Sequence, residues 1–323
     1  MIQGEMLGGV IMLLIASFLY AKYKNYEASR KQRLDISAIE RYLLNDGVKH
    51  SYLKPTMWIY IPDTYNARCW QSWGSRSSVT VNQPYLGLTV GSIVECNKND
   101  FNICAVTDEN IMDLLPEWKI DLSKTADPHL AKLRELALAK LLFKHGGILV
   151  PCSFICQRSL KHVYDQAMLK SGAVAFHTNE MPAAGGPEIG LSASFMGCRK
   201  GSRVMGELIQ LLEVIASTDF TEASIFEGRV RKWLTEEAAQ GNLASVPPQV
   251  SGVVDTAGQP VTADRLMADR FISIASDARG VLVPEEAILK RKQYGWFPMI
   301  EAADAVQVES NLGERLLLSL SKA

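Results

Sequence analysis

The sequence predicts an α/β protein, a mixed sheet flanked by helices with a membrane-spanning helix ahead of it. Three observations predict this. Short apolar runs such as 57–62 (MWIYIP) and 101–107 (FNICAVT) alternate with stretches of helical periodicity, the rhythm of a sheet covered by helices on both faces. The longest helical stretch stops at Gly146-Gly147 and runs straight into a continuous apolar segment, 148–152. Near the start of the chain, 6–21 is sixteen residues without a charge, bounded by Glu5 and Lys22.

That apolar run is slightly short for a spanning helix of about 17 to 25 residues, but Lys22 and Lys24 can snorkel and Tyr20 and Tyr23 suit the interface. A cleaved signal peptide needs a basic flank before the run and a small-x-small site after it, and neither is present. An uncleaved anchor is the favoured reading. Lys22, Lys24, Arg30, Lys31 and Arg33 all follow the run, which places that side in the cytosol and residues 1–5 outside or in a lumen.

Residues 22–53 read as a basic helical stalk, with an amphipathic helix at 35–44 capped by Asp35 and stopped by Asn45-Asp46-Gly47. A first strand follows at 57–62, a helix at 90–99, and a second strand at 101–107 ending before Asp108. The long helix runs from 127 or 128 to 145. Pro128 sits in its permitted first turn, and Leu130, Leu133, Leu136, Ala137, Leu141 and Leu142 form one apolar stripe. Lys132, Arg134 and Lys140 lie off that stripe and read as a solvated face. Later strands are expected at 173–177 and 194–197, and helices at 202–217 and 224–240. The domain spans 54–300, and 301–323 forms a C-terminal amphipathic helix.

Composition bounds the class. The chain has 323 residues, 47% apolar and 21% charged, enough for a large core. Lys plus Arg total 34 against 35 Asp plus Glu, so the summed charge gives no reason to expect nucleic acid as partner. Six cysteines without framework spacing fit reduced, buried structural thiols.

The succession of strand MWIYIP, helix GSIVECN, strand FNICAVTDEN, helix LRELALAKLLFKHGG and strand ILVPCSF resembles the glycosyltransferases of the capsular polysaccharide synthesis and DxD sugar-binding-region families. The likeness covers roughly 57–160, and more weakly extends to about 206. It implies a GT-A fold, whose hallmark is a helix ending Leu-x-x-x-Gly-Gly, here Leu142, Gly146 and Gly147, followed by a strand that ends in Asp-x-Asp. In those families the two carboxylates hold Mg²⁺ or Mn²⁺ against the sugar-nucleotide diphosphate, four and six residues after the second Gly. Here those positions are Pro151 and Ser153. The family's helix Asp falls on Glu135 and its Arg on Leu138.

A hard cation wants anionic oxygen ligands, and neither Pro151 nor Ser153 supplies one. Asp108 and Glu135 are the weak substitutes, and His177, Glu180 and Glu188 share a Gly/Pro-rich loop, 177–190, where a general base would fit as a further weak candidate. Trp70, Trp73 and Trp296 are available for stacking on sugars. Lys290, Arg291, Tyr294, Trp296 and Phe297, with Lys292, form a basic-aromatic cluster of the composition found in protein contacts.

Two functions stay open. The first is a membrane-anchored, non-catalytic glycosyltransferase-like module that docks a protein partner on the cytosolic face, with no cofactor. A large virus with an internal membrane is one setting for such a link. The second is an active, metal-independent glycosyltransferase. A sugar nucleotide, and Mn²⁺ if a site were rebuilt, enter only under that alternative.

Overall fold

The computed structural model describes residues 22, 24, 27, 30, 35–44, 50–62, 83–126, 129–180, 188–218 and 223–320. The expected membrane span, 6–21, lies outside the described residues, as do Trp70, Trp73, Cys69 and Pro128. No helix among the described residues is long and apolar enough to cross a membrane. The chain divides into two compact units, Met1–Tyr42 and Leu43–Ala323. In the first, residues 35–41 are helical and Tyr42 N donates to Ile39 O at 3.0 Å, so the stalk helix ends before the expected 44.

The second unit runs β1 (Thr56–Tyr60), α1 (Tyr85–Asn97), β2 (Asn102–Val106), α2 (Ile111–Leu114), α3 (His129–His145), β3 (Gly147–Pro151), β4 (Phe154–Cys156) and α4 (Lys161–Lys170). It continues with β5 (Ala173–Glu180), β6 (Glu188–Cys198), α5 (Arg203–Thr218), α6 (Ala223–Ala239), β7 (Ala244–Val246) and α7 (Ala263–Met267). The last elements are β8 (Gly280–Leu282), α8 (Glu285–Lys290), α9 (Ala302–Ala305) and α10 (Asn311–Leu320). Six strands form one mixed sheet in the order β2-β1-β3-β6-β5-β7, with β6 antiparallel to both neighbours. β4 and β8 make a small antiparallel pair beside it.

β3 sits third of six, as its unbroken apolar character requires: a strand covered on both faces has no polar side to show water. Successive side chains point to opposite faces. Accordingly Met57, Ile59, Ile148 and Val150 join the core built with Tyr85, Ile93, Phe154 and Phe297, while buried Trp58 and Leu149 stand outside it. On that other side the Trp58 indole donates to Gly146 O at 2.9 Å and its ring lies 5.6 Å from that of His145. The end of α3 is thereby bolted to β1. Gly146 and Gly147 take φ of +73° and +101°, which lets the helix stop and the chain reverse into β3 without a Cβ clash.

Four readings of the sequence need correction. The compact unit is wider than 54–300, because Leu43 bridges Cys104 and Leu44 N donates to Ile103 O at 2.8 Å, adding a short stretch beside β2. The terminal helix expected over 301–323 starts later, as α10 after the short α9, and its Leu312 and Leu316 enter the main core. Of the expected loop 177–190, residues 177–180 and 188–190 are paired strand, with His177 opposite Leu191 and Glu180 opposite Glu188, and 181–187 lie outside the described residues. The Gly/Pro-rich centre hid two strands that hydrogen-bond almost to their tips.

Lys132 and Arg134 are not solvated either. Lys132 is 1% exposed and Arg134 is drawn into an ion pair. α3 packs on β3 and β6 and is also packed by α5 and α6, so more of its circumference than one stripe is covered. Lys140 does reach the surface, where it pairs with Glu213 at 2.6 Å.

Candidate functional site

Ligands of open α/β sheets settle outside the carboxyl ends of the strands, where the order of connections reverses. Here the chain steps from β1 to β2 on one side and then crosses to β3 on the other, so the reversal falls between β1 and β3. The residues delivered there are Tyr60, Asp108, Pro151, Cys152 and Ser153. Register places Tyr60 between Val106 and Pro151.

Asp108 follows β2 in a turn held by Asn110. Thr107 N donates to Asn110 Oδ1 at 2.8 Å, Asn110 N donates to Thr107 Oγ1 at 3.2 Å, and the Asn110 amide donates to Ala105 O at 3.1 Å. The turn aims Asp108 at α3, where Arg134 grips it with two bonds, Nε to Oδ1 at 3.0 Å and Nη2 to Oδ2 at 2.6 Å. Tyr60 completes the cluster by donating to Oδ1 at 2.9 Å, and Arg134 lies 5.0 Å from the centre of the Tyr60 ring. Asp108 is only 4% exposed. A carboxylate held by a bidentate guanidinium and a phenol has about three of its four acceptor positions used and its charge already paired, and is poorly placed to ligate a cation as well.

At the end of β3 the backbone is equally committed. Thr89 of α1 donates its hydroxyl to Cys152 O, and Val283 N donates to Ser153 O at 3.2 Å, extending the small sheet by one bond. Ser153 is buried, Pro151 half-buried. Glu285 in the first turn of α8 brings a carboxylate oxygen 3.8 Å from Cys152 Sγ. Burial pushes the Cys152 thiol well above its ordinary range, and the Glu285 charge pushes it further. Burial alone raises Cys104 and Cys198 to about 12. These thiols are protonated at neutral pH and are not nucleophiles. None of the described cysteines forms a disulfide.

The remaining candidates are dispersed. Glu135 is half-buried on α3. Glu188 is ion-paired with Arg231. His177 Nδ1 bonds to Val246 O at 2.8 Å, which ties β5 to β7 rather than presenting a base. Among the described residues no group of three His, Cys, Asp or Glu is placed to hold a metal ion. The basic-aromatic cluster divides too. Arg291 and Tyr294 both bond Asp264, Lys290 pairs with Glu286 at 2.5 Å, Trp296 is 43% exposed, and Phe297 is core, packed 5.1 Å from Tyr85. As a contact surface it therefore lacks Phe297, and Lys290 and Arg291 are neutralised locally.

Glu285 is the acid that sequence reasoning missed. Its local signal was plain, Pro284-Glu285-Glu286 opening a short helix, where acids suit the positive end of the helix dipole. Nothing local, however, says that this turn packs against a strand end more than a hundred residues earlier.

No family model matches the sequence, and no curated protein matches it. Among solved structures the chain is similar to one described as "PaToxG Glycosyltransferase", at 11% identity and a TM-score of 0.34, over 68% of this chain and 80% of that one. So loose an overlap carries no argument, and the functional reading rests on this chain's own residues.

Proposed function

We propose that this chain is a glycosyltransferase-like module that does not perform metal-assisted sugar transfer and works as a docking or structural unit on a membrane. The observation that carries the reading is the end of β3. Where the families it resembles place two metal-binding carboxylates, it has Pro151 and Ser153, with the carbonyls of Cys152 and Ser153 used as structural acceptors. The nearest substitute, Asp108, is engaged by Arg134 and Tyr60. Without a cation to neutralise a departing diphosphate, the usual source of electrophilic help is missing.

Calorimetry of the full chain with uridine and guanosine diphosphosugars, in Mn²⁺ and then in chelator, tests this. The expected result is no gain in affinity from Mn²⁺. A metal-dependent gain of about tenfold or more, the equivalent of 1.4 kcal/mol, that is lost in Glu135→Ala or Glu285→Gln would overturn it.

Membrane attachment through 6–21 is supported by the apolar run and by the cations that follow it, which favour a cytosolic domain. Protease added to sealed vesicles carrying the full chain is expected to digest the domain from the cytosolic face. A protected domain would reverse the assigned orientation.

The second reading, a metal-independent transferase, draws on Glu285. It is a half-buried carboxylate that the fold brings to the end of β3, and a carboxylate is a side chain able to serve as general base. Turnover of a diphosphosugar in chelator, abolished by Glu285→Gln, would favour it over the first.

A further inference from the structure

Away from the switch point, the end of β4, the segment 271–278 and one side of α10 enclose a cavity of about 280 Å³. Its walls combine Arg158 and Arg315 with Phe271, Ile274 and Leu318, and Glu314 stands at the same rim. The frame is fixed by backbone bonds. Gln157 N and Arg158 N both donate to Arg279 O, at 2.8 and 3.0 Å. Asn311 at the start of α10 donates to the carbonyls of Arg265, Ala268 and Arg270 and accepts from Ile272 N at 3.1 Å.

Arg315 is the unusual member. It is 9% exposed, donates from Nη2 to Ile272 O at 2.7 Å, and leaves its buried Nε without a hydrogen-bond partner in the protein. No carboxylate among the described residues forms an ion pair with it. Burial lowers its pKa from the ordinary guanidinium range, and the Glu314 charge offsets that only in part. Guanidinium groups are rarely buried without an anionic or carbonyl partner for each edge, because desolvation is costly. Arg158, across the cavity, has an exposed side chain.

We propose that this cavity binds a small monocarboxylate with an apolar body. The carboxylate meets the Arg315 and Arg158 guanidiniums, whose planar forks match it. The apolar body lies against Phe271 and Leu318, which are 73% and 47% exposed and cover the mouth only from the side. Charge selects for a single negative group, since two guanidiniums and the one carboxylate of Glu314 leave one net positive charge. A dianion would be over-compensated and repelled by Glu314. The volume lies just below the range of about 300–1,000 Å³ usual for small-molecule sites. The site is independent of the function proposed for the strand ends.

The test uses the full chain, titrated by calorimetry and by saturation-transfer NMR with hexanoate, 1-hexanol, hexylamine and inorganic phosphate. Hexanoate is expected to bind at least about tenfold more tightly than hexanol, the share of a charge-assisted hydrogen bond, and phosphate and hexylamine are expected not to bind. Arg158→Met and Leu318→Glu alter exposed side chains without disturbing the core. Each is expected to weaken hexanoate by about tenfold, while Arg315→Lys, which keeps the charge but loses the fork, weakens it less. Equal binding of hexanol, or binding of phosphate as tight as hexanoate, would overturn the proposal. So would unchanged hexanoate affinity in both Arg158→Met and Leu318→Glu with the melting temperature preserved.

Discussion

Gly147→Ala is expected to unfold the domain or to lower its stability by about 4 kcal/mol, among the largest effects that a single methyl group produces. Two costs add. Gly147 has φ of +101°, a conformation that L side chains rarely adopt. A Cβ there would also lie 2.0 Å from Thr56 O, which is backbone of the neighbouring strand, and 3.2 Å from the Trp58 indole nitrogen. A flexible side chain could yield, but Thr56 is held in the β1 ladder and Trp58 is fully buried. Relief would require the parallel pairing of β1 and β3 to open. Gly201→Ala is the control, because Gly201 has φ of +69° with nothing within 4 Å of the added methyl. It should lose only about 1–2 kcal/mol, from the left-handed backbone alone. Urea titration followed by circular dichroism separates the two. A Gly147→Ala protein as stable as Gly201→Ala would show that the β1–β3 contact is looser than described.

Asp108→Ala is expected to cost about 3 kcal/mol, because it strands Arg134, whose side chain is 20% exposed, without its carboxylate. The loss has little to do with the intrinsic strength of the pair. A guanidinium already stripped of most of its water loses the acceptor of two of its hydrogen bonds. Asp108→Asn should cost less, since the amide oxygen still accepts from Tyr60 or Arg134. The double variant Asp108→Ala with Arg134→Met should recover part of the loss, since it removes the stranded charge. Thermal melts of the three variants make the comparison. A change below about 0.5 kcal/mol in Asp108→Ala, the range of ordinary surface substitutions, would mean that Asp108 is not held as the geometry shows and is available for ligands after all.

The two sites differ in how far they could be read beforehand. The stop at Gly146-Gly147 and the strand behind it were legible because both are local matters. Gly tolerates positive φ whatever surrounds it, and three consecutive aliphatic residues prefer a place covered on both sides. The Asp108–Arg134 pair was not. Its members are twenty-six residues apart, and nothing around Arg134 distinguishes it from a solvated arginine on an amphipathic helix. Reading α3 as a helix with one buried stripe assumed one neighbour. The fold supplies the sheet together with α5 and α6, and so encloses Lys132 and Arg134 as well.

A similar difference separates the two ends of the chain. By itself the sequence determined the α/β class, the places of β1, β2, α3 and β3 to within a few residues, and the absence of carboxylates at positions 151 and 153, since each depends on residue identity and short-range periodicity. Only the tertiary structure decided that Phe297 is core, that Glu285 reaches the end of β3, that 177–180 pair with 188–191 as strands, and that Arg315 is buried against a cavity. All but the strand pairing, which a Gly/Pro-rich stretch disguised, are long-range contacts. Their positions are set by which surfaces remain to be covered once the sheet has formed, and that quantity is not written in any window of the chain.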